Sequence, residues 1–524
     1  MKKHLLIIVK FILFAFNSFY FLIKFDILNY RIKEGDYVLL DRYKIKMFQS
    51  GFKMILYVAV RELFKCDIYF LNSLDKGLYC KIQTDRKITS DDIDSLKLKM
   101  QEIINKNEKI VKKVISKKDG YEYYIKTKEY EKAGNVLNLN NKTLTIYELH
   151  GYYNYFMDAM PEYTGNLKDF NLTFLGNNDL VLSFSITTDG ILDPYTSQDM
   201  ILQSFIDYRI WCGNQQVEYV ADLNALVSKS KIKDFIKKND IMMDNEVYSL
   251  AYTISEENKR IILLGGPSSS GKTTSTRKLS LYLSSLGLNP IYLSLDDYFK
   301  ERDETPRLAN GKYDFESLNA IDLDLFNSQL ESMLKGENVK IPTFNFITGK
   351  KEYSENHTIE LKENDIILIE GLHCLNERLT ENIPKADKLK VYISPFMPLS
   401  IDRHNHLSTV DIRLLRRIVR DNRTRGYDVI ATLENWDDVR NGETAYVFPY
   451  TNEADIILNT AYIYELGVLK VYAEPLLYSV PLSSKYYKEA RRLINELQMF
   501  FPIPSEYVSD DNILREFIGD SYFE

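Results

Sequence analysis

The sequence has 524 residues, of which 45% are hydrophobic and 27% charged, and its net charge is −7. This length allows two to four domains with separate cores, and the composition is that of a soluble globular protein. The four cysteines, Cys66, Cys80, Cys212 and Cys374, form no C-x-x-C pair. Their scatter argues against a zinc site and a disulfide framework and indicates a reducing compartment. We therefore expect a cytoplasmic protein.

The first 30 residues form an apolar N-terminal segment. Met1-Lys2-Lys3 precedes an apolar run over residues 5–23, which Lys10, Asn17 and Ser18 interrupt. The run resembles a signal peptide or an anchor, but no small-x-small cleavage site follows it. A lysine at mid-bilayer costs about 2.5–3.5 kcal/mol, which makes a spanning helix marginal. A membrane-anchored form that contacts lipid through residues 5–23 is the alternative to a fully cytoplasmic protein.

Residues 31–245 are predicted to form an α+β region. The sequence predicts a mostly buried helix over 52–64, a hairpin of strands 67–71 and 77–82, and a capped amphipathic helix over 90–106. Short strands with Gly- and Asn-rich turns follow over 136–190. Residues 1–150 contain 28 Lys and Arg against 18 Asp and Glu, a net charge of +10. Such a basic front end suits RNA or a membrane surface, although dispersed lysines are usually a solvated face.

The stretch N-S-L-D-K-G-L-Y-C-K-I, residues 72–82, with the helices on either side, resembles the second additional domain of threonyl-tRNA synthetases. That domain hydrolyses mischarged tRNA with histidines in an H-x-x-x-H arrangement. Here Asn72 stands where a histidine is expected, and no histidine lies between residues 5 and 149. The resemblance therefore implies a binding or structural role and not editing chemistry.

The catalytic half opens with a predicted helix over 246–257 and a phosphate-binding loop. The apolar run 261–264 leads into G-P-S-S-S-G-K-T-T, which fits G-x-x-x-x-G-K-[ST]. Glycines let backbone N–H groups surround phosphate oxygens, Lys272 adds a charge at the β- and γ-phosphates, and Thr273 offers a hydroxyl to Mg²⁺. The predicted phosphate-binding residues are Gly266, Pro267, Ser268, Ser269, Ser270, Gly271, Lys272, Thr273 and Thr274. The alternative is a strand–turn–helix junction that contains a lysine by chance.

Two further strands are predicted to end in acidic residues. Strand 291–295 delivers Asp296 and Asp297, one of which we expect to accept a proton from an attacking hydroxyl and the other to be structural. Strand 365–369 ends in Glu370, in the pattern of a carboxylate that holds Mg²⁺. The helix from Thr273 is predicted to end near Gly287. The pattern predicts an α/β fold with a mainly parallel sheet flanked by helices.

Residues 409–425, T-V-D-I-R-L-L-R-R-I-V-R-D-N-R-T-R, predict a helix rich in arginine. Arg413, Arg416, Arg417 and Arg420 recur at helical spacing and are predicted to share one face. A solvated or nucleic-acid-binding face is one interpretation. Next to a nucleotide site, we expect instead a lid whose guanidinium groups neutralise charge on a phosphoryl group, with Gly426 as its hinge.

These motifs in this order resemble the uridine kinase and phosphoribulokinase family of P-loop kinases over about residues 259–465. The resemblance rests on G-P-S-S-S-G-K-T-T, L-D-D-Y-F, Y-D-F, I-P-T-F-N-F, I-E-G-L-H and D-I-R-L-L-R-R-I-V-R-D. It implies ATP and Mg²⁺ as cofactors and Asp296 as the base. It also implies metal contacts from Thr273 and Glu370, acceptor contacts from Asp314, Tyr298 and Phe344, catalytic contacts from Lys272, Arg417 and Arg420, and an ATP contact from Arg425. The synthetase-like front end and the tail I-L-R-E-F-I-G resemble the long bacterial nucleoside kinases.

The departures from the family pattern fall on the pocket for the nucleobase. Where the family has a tyrosine and a histidine, this sequence has Phe344 and Gly349, and Tyr427 replaces a lid arginine. An apolar pocket discriminates less than one that hydrogen-bonds a base edge, so the departures leave the acceptor open.

The domain prediction is therefore an N-terminal segment 1–30, an α+β region 31–245, a kinase domain 246–465 and a helical extension 466–524. The leading hypothesis is an ATP-dependent phosphotransferase with a nucleoside acceptor, uridine or cytidine. One alternative is a kinase of a sugar phosphate or another metabolite hydroxyl, which requires an extra basic residue beside Asp314. The other is an RNA-binding regulatory ATPase. The oligomeric state is left open.

Overall fold

The structure of the protein is a computed structural model that describes residues 42–139, 141–184, 192, 195–257, 259–308 and 311–523. The apolar run over residues 5–23, and with it the question of a membrane anchor, lies outside the described residues. Within the described ranges, every helix is too short or too polar to cross a membrane.

The N-terminal region contains two antiparallel sheets. The first has the strand order β1-β2-β7-β6 and the second β3-β4-β5. Their strands are β1 (Asp67–Leu74), β2 (Gly77–Gln83), β3 (Val111–Ser116), β4 (Thr143–Leu149), β5 (Tyr152–Asn154), β6 (Phe170–Gly176) and β7 (Asp179–Phe184). The predicted hairpin is confirmed, since β1 and β2 pair antiparallel. It is longer at its ends than the sequence predicted.

The helices of this region are α1 (Arg42–Phe64), α2 (Ser90–Lys106), α3 (Lys117–Lys126) and α4 (Tyr130–Asn138). The predicted helices over 52–64 and 90–106 are confirmed, although α1 begins ten residues earlier. Thr89 caps α2 in a capping box with Asp92. The apolar faces of α1 and α2 share one core with the first sheet. The α+β architecture expected for this half is therefore present.

Three helices join the two halves: α5 (Asp199–Asn214), α6 (Val220–Ser228) and α7 (Ile232–Glu256). The helix predicted over 246–257 is the last part of α7. Each of them contributes buried residues to one apolar cluster that it shares with the arginine-rich helix and the C-terminal tail. The packing of this linking segment is thus continuous with the catalytic half, and the boundary at 245 stays a prediction.

The catalytic half contains a five-stranded sheet with the order β16-β13-β8-β12-β9, all parallel. Its strands are β8 (Ile261–Gly265), β9 (Asn289–Ser294), β12 (Asp365–Gly371), β13 (Lys388–Ser394) and β16 (Ile456–Asn459). All five residues of β8, at the centre, are buried. Parallel sheets covered on both faces carry such continuous apolar runs. The predicted α/β fold class is confirmed.

Helices surround this sheet and two hairpins extend from it. The helices are α8 (Lys272–Ser285), α9 (Leu323–Leu334), α10 (Thr409–Arg425), α11 (Val429–Tyr446), α12 (Glu465–Tyr478), α13 (Tyr487–Leu497) and α14 (Arg515–Ile518). The hairpins are β10 (Val339–Asn345) with β11 (Lys350–Ile359), and β14 (Ser400–Asp402) with β15 (Asn405–His406). The tail after α12 packs on α10 and on helices α5 to α7.

The β14–β15 hairpin, which precedes α10, is buried against the N-terminal region. His404 Nδ1 lies 2.6 Å from Lys132 Nζ, and His404 Nε2 lies 3.1 Å from Asp67 Oδ1. Because lysine only donates, Nδ1 accepts and Nε2 donates to the aspartate. Asn72, whose position suggested lost editing chemistry, is 2% exposed and donates to the Met397 carbonyl at 2.8 Å. The side chain of Asn72 is thus buried in a contact with the catalytic half.

Candidate active site

The phosphate loop lies between β8 and α8, at the carboxyl edge of the parallel sheet. A Cβ on Gly266 would overlap the carbonyl oxygen of Ile393, so only glycine allows the loop to pass this close to β13. Gly271, the N-cap of α8, has φ +85°, in the left-handed region. The loop therefore presents backbone N–H groups and the positive end of α8 to one point, as an anion site requires.

Lys272 and Thr273 occupy the first turn of α8. Lys272 Nζ donates to the Pro267 carbonyl at 3.1 Å and so lies along the loop. Thr273 Oγ1 donates to Glu370 Oε1 at 2.9 Å, and Tyr292 donates to Glu370 Oε2 at 3.0 Å. Burial raises the pKa of Glu370, and the charge of Lys272 acts against this. The predicted pair of metal contacts is thus assembled by β12 and α8.

The chemistry of these two side chains fits Mg²⁺. The ion prefers oxygen ligands and is usually held by one or two carboxylates together with phosphate oxygens and water. Thr273 and Glu370 offer a hydroxyl and a carboxylate oxygen 2.9 Å apart. The described residues contain no group of three or more His, Cys, Asp or Glu that could hold a metal. The pair would therefore hold Mg²⁺ together with a nucleotide, and not as a separate protein cage.

Asp296 and Asp297 follow β9 in a 3₁₀ turn. The Asp296 side chain is accessible to solvent but surrounded by protein on most sides. This partial loss of solvation raises its pKa, the charge of Lys272 lowers it, and Asp297 raises it. Asp297 Oδ1 accepts a hydrogen bond from the Phe344 backbone N–H at 3.2 Å. This arrangement leaves Asp296 open to an acceptor and ties Asp297 to β10.

Two of the predicted acceptor residues, Asp314 and Tyr298, lie in different surroundings. Asp314 lies in a half-buried loop and accepts from the Ser317 N–H at 3.2 Å. Tyr298 is 1% exposed, donates to Gln329 at 3.0 Å and packs edge-to-face on Phe326. This core placement does not support the predicted contact of Tyr298 with an acceptor, because its hydroxyl is already used and its ring is covered.

Phe344 belongs to an aromatic cluster next to the turn of the β10–β11 hairpin. Its ring lies 5.7 Å from Phe299 and 5.1 Å from Phe346. At the tip, Gly349 has φ +70°, and the Arg302 side chain fills the space next to its Cα. Arg302 donates to the Phe346 carbonyl at 2.6 Å. The two positions that depart from the family pattern are therefore an apolar ring and a glycine covered by a guanidinium.

The arginine-rich helix α10 is confirmed over Thr409–Arg425, but its arginines do not form one lid. Arg413 is 1% exposed and pairs with Glu443 at 2.5 Å, and Arg416 is fully buried and pairs with Glu465 at 2.5 Å. Helix α11 and the start of α12 supply these carboxylates. The expectation of four guanidinium groups on one free face is therefore wrong for these two, which are structural.

Arg417, Arg420 and Arg425 pair with a carboxylate of their own helix, Asp421. Arg417 Nη1 donates to Ser268 Oγ at 2.7 Å, in the phosphate loop. Arg420 pairs with Asp421 at 3.0 Å, and the half-exposed Arg425 lies 3.4 Å from the same carboxylate. Asp421 is thus the shared counter-charge of the arginines that remain available for a nucleotide. Tyr427, in place of a lid arginine, is 43% exposed.

The remaining loop residues are held by parts of the chain that sequence reasoning did not connect to the site. Glu443 Oε1 accepts from the Ser268 N–H at 2.9 Å, and Thr460 donates to the Ser270 carbonyl at 2.6 Å. Thr274 donates to Glu516 Oε2, near the C-terminal end, at 2.9 Å. The Ser269 and Ser270 hydroxyls are buried without a partner in the described part of the chain. No local motif marks Glu443, and Glu516 lies in the tail motif I-L-R-E-F-I-G, which the sequence did not connect to the loop.

Glu316 is a second residue that sequence reasoning missed. Burial raises its pKa to about 7; the charge of Glu443 adds to this and that of Arg417 acts against it. The charges of Asp296 and Lys272 also act on its pKa, and its side chain lies against Gly442 of α11. Its position two residues after Asp314, inside the Y-D-F-E stretch, was the signal that could have revealed it.

A phosphate loop, a hydroxyl–carboxylate metal pair and an open carboxylate at one edge of a parallel sheet define the class of P-loop kinases. Residues 261–463 match the model of the phosphoribulokinase / uridine kinase family. This part of the chain is therefore similar to the P-loop kinase domain of that family.

Characterised relatives agree with this assignment. The chain is 25% identical over 295 residues to a uridine kinase of Saccharomyces cerevisiae, covering 54% of this chain and 53% of that protein. It is 29% identical over 205 residues to a uridine kinase of Borrelia duttonii, covering 38% of this chain and 85% of that protein. The chain thus spans about half the length of the yeast relative.

Two solved structures also align with the chain. A possible uridine kinase from Bacillus stearothermophilus has a TM-score of 0.28 at 19% identity, over 41% of this chain and 98% of that chain. A D-glycerate 3-kinase from Cryptococcus neoformans has a TM-score of 0.20 at 15% identity, over 52% of this chain and 89% of that chain.

Proposed function

We propose that the protein transfers the γ-phosphoryl group of ATP to the 5′-hydroxyl of a nucleoside, uridine or cytidine. The observation that carries this proposal is the position of Asp296. Its carboxylate is open to solvent at the end of β9, and it interacts electrostatically with Lys272 of the phosphate loop. A hydroxyl bound there would face both a base and the reacting phosphate.

The proposed reaction assigns one task to each group. The acceptor oxygen attacks the γ-phosphorus while Asp296 takes the hydroxyl proton, and the bond from the γ-phosphorus to the bridging oxygen breaks to release ADP. Lys272 and Arg417 neutralise the charge that develops on the phosphate oxygens. Thr273 and Glu370 would hold Mg²⁺, whose charge would help to neutralise the phosphate oxygens. Asp314 would accept hydrogen bonds from the ribose hydroxyls.

A coupled assay of purified protein with ATP, Mg²⁺ and a nucleoside panel tests the proposal. We expect turnover with uridine or cytidine, and Asp296→Asn should lose several orders of magnitude in kcat while ATP still binds. Near-normal activity of this variant would remove Asp296 as the base. Phosphorylation of another small alcohol, without turnover of any nucleoside, would contradict the nucleoside acceptor.

One observation favours a second candidate, a kinase of a sugar phosphate or another anionic metabolite. Arg307 pairs with Tyr313, the residue before Asp314. The guanidinium carbon of Arg307 lies 4.0 Å from the centre of the Tyr313 ring. Arg307 would serve as the extra basic residue that a phosphorylated acceptor requires. A panel that includes pentose and hexose phosphates separates the candidates, since Arg307→Ala should weaken an anionic acceptor and spare a nucleoside.

A further inference from the structure

The C-terminal segment, residues 511–519, packs against the phosphate loop and the first turn of α8. Ile513 lies against Gly271, so that a Cβ on this glycine would come within 2.5 Å of Ile513 Cγ2. The Phe517 ring lies 5.1 Å from the Arg416 guanidinium. Ile513, Leu514 and Phe517 are at most 1% exposed. The segment is thus a packed wall of the site and not a loose tail.

Polar contacts fix this wall on two helices. Lys278 of α8 donates to Asp511 Oδ2 at 2.9 Å. Arg423 of α10 donates to the backbone carbonyls of Glu516 at 3.0 Å and Phe517 at 3.3 Å. Since the wall and the phosphate loop are both tied to α8 and α10, its side chains hold defined positions beside the loop.

The order of the sheet shows which part of a nucleotide this wall faces. Strands β12 and β9, which carry Glu370 and Asp296, lie on one side of β8, and β13 and β16 lie on the other. Phosphoryl transfer takes place on the first side. The rest of the nucleotide must leave the loop on the second side, which Thr460 after β16, Arg416 and the C-terminal segment enclose.

Glu516 is the carboxylate of this wall that contacts the loop. Its Oε2 accepts from Thr274 Oγ1 at 2.9 Å, and Thr274 is the last residue of the phosphate motif. Among the residues that the structure describes, its Oε1 accepts no hydrogen bond. The ribose is the first nucleoside part beyond the α-phosphate, and its hydroxyls are the donors that a carboxylate can bind.

We propose that Glu516 is a specificity-determining residue that accepts hydrogen bonds from the ribose hydroxyls of the donor nucleotide. This inference rests on the proposed use of ATP, but it adds a residue from outside the region 261–463 that matches the kinase family. The protein is then selective for ribonucleotide donors through its C-terminal segment.

Calorimetric titration of the full chain with ADP and with 2′,3′-dideoxyADP, both with Mg²⁺, tests the inference without any acceptor. We expect the wild-type protein to bind ADP about tenfold more tightly, the effect of one hydrogen bond to a charged group. Glu516→Ala should reduce this ratio to about 1, and Glu516→Gln, whose amide oxygen still accepts, should give an intermediate ratio. The control Asp510→Asn, which removes an exposed carboxylate nearby, should keep the wild-type ratio.

Equal binding of the two nucleotides by the wild-type protein would overturn the inference and leave the proposed kinase function standing. A wild-type ratio in Glu516→Ala, or a lost preference in Asp510→Asn, would overturn it as well. Failure of both nucleotides to bind the wild-type protein would instead contradict the proposed function itself. The Glu516→Gln protein keeps the shape of the side chain and so gives a result even if the alanine variant does not fold.

Discussion

The buried pair of Arg413 and Glu443 gives the sharpest test of how the arginine-rich helix works. Glu443 accepts two hydrogen bonds from Arg413, at 2.5 and 2.9 Å, and one from the Ser268 N–H in the phosphate loop. Burial by itself raises the pKa of Glu443, but the charges of Arg413 and Arg440 hold it below its ordinary value. Glu443→Gln should therefore leave the Arg413 charge buried without a counter-charge.

The expected size of the effect follows from burial. Arg413 and Glu443 have side chains that are 1% and 0% exposed. Removing one partner of such a pair costs about 3–5 kcal/mol. For a unit of about 500 residues that unfolds in one transition, the unfolding entropy of about 2.1 cal/mol/K per residue makes a loss at the lower end of this range a fall of about 3 °C in melting temperature. Arg413→Met should cost less, because Glu443 retains Arg440 at 2.8 Å and the Ser268 N–H.

Thermal unfolding of the two single variants and of the double variant R413M/E443Q measures the coupling. The double variant should be more stable than the sum of the single losses predicts, because no buried charge is left. Arg440→Met is the matched control: Arg440 is 27% exposed, and its pair with Glu443 should contribute at most about 1 kcal/mol.

One pattern of results would instead support the lid function that the sequence predicted for Arg413. If Glu443→Gln melts with the wild-type protein while Arg413→Met loses kcat by orders of magnitude without losing stability, Arg413 acts on the phosphoryl group. The structural assignment of this arginine would then be refuted.

Two further predictions concern the loop and the base. Gly271→Ala should lower the melting temperature and the nucleotide affinity more than Gly287→Ala does. Both glycines have φ near +85°, but only a Cβ at position 271 would meet Ile513. Equal effects of the two substitutions would leave backbone strain as the sole cause. Asp297→Asn should move the acid limb of the kcat/KM profile to lower pH. Asp297 raises the pKa of Asp296, so its neutralisation lets Asp296 stay ionised in more acidic solution; an unmoved limb would assign that limb to another group.

Elements whose signal is local in sequence could be predicted well. The phosphate loop and the acidic residues that end β9 and β12 carry their own spacing, and adjacent parallel strands bring their carboxyl ends to one edge. Helix α2 was predicted over the same residues that form it, because the apolar period and the capping residues agree with each other.

What the sequence could not show are the partners that lie far away along the chain. The spacing of Arg413 and Arg416 places them on one face, but only the positions of Glu443 and Glu465 turn that face into a buried one. Likewise, Tyr298 stands in a motif that suggests an acceptor contact, and its burial depends on Phe326 of a later helix. The spacing of residues along a helix predicts which of them share a face, but tertiary packing determines whether that face is buried.

The contacts of the β14–β15 hairpin affect how the protein folds. Its His404 binds residues 272 and 337 positions earlier, Lys132 and Asp67. Bringing together residues so far apart in the sequence costs conformational entropy before the contacts form. Contacts of such sequence separation therefore slow folding. The hairpin leads directly into α10, so the helix that supports the phosphate loop becomes fixed only when both halves are already formed. We expect the two halves to unfold in one transition, and a catalytic fragment without the N-terminal region to expose the charged hairpin and lose that cooperativity.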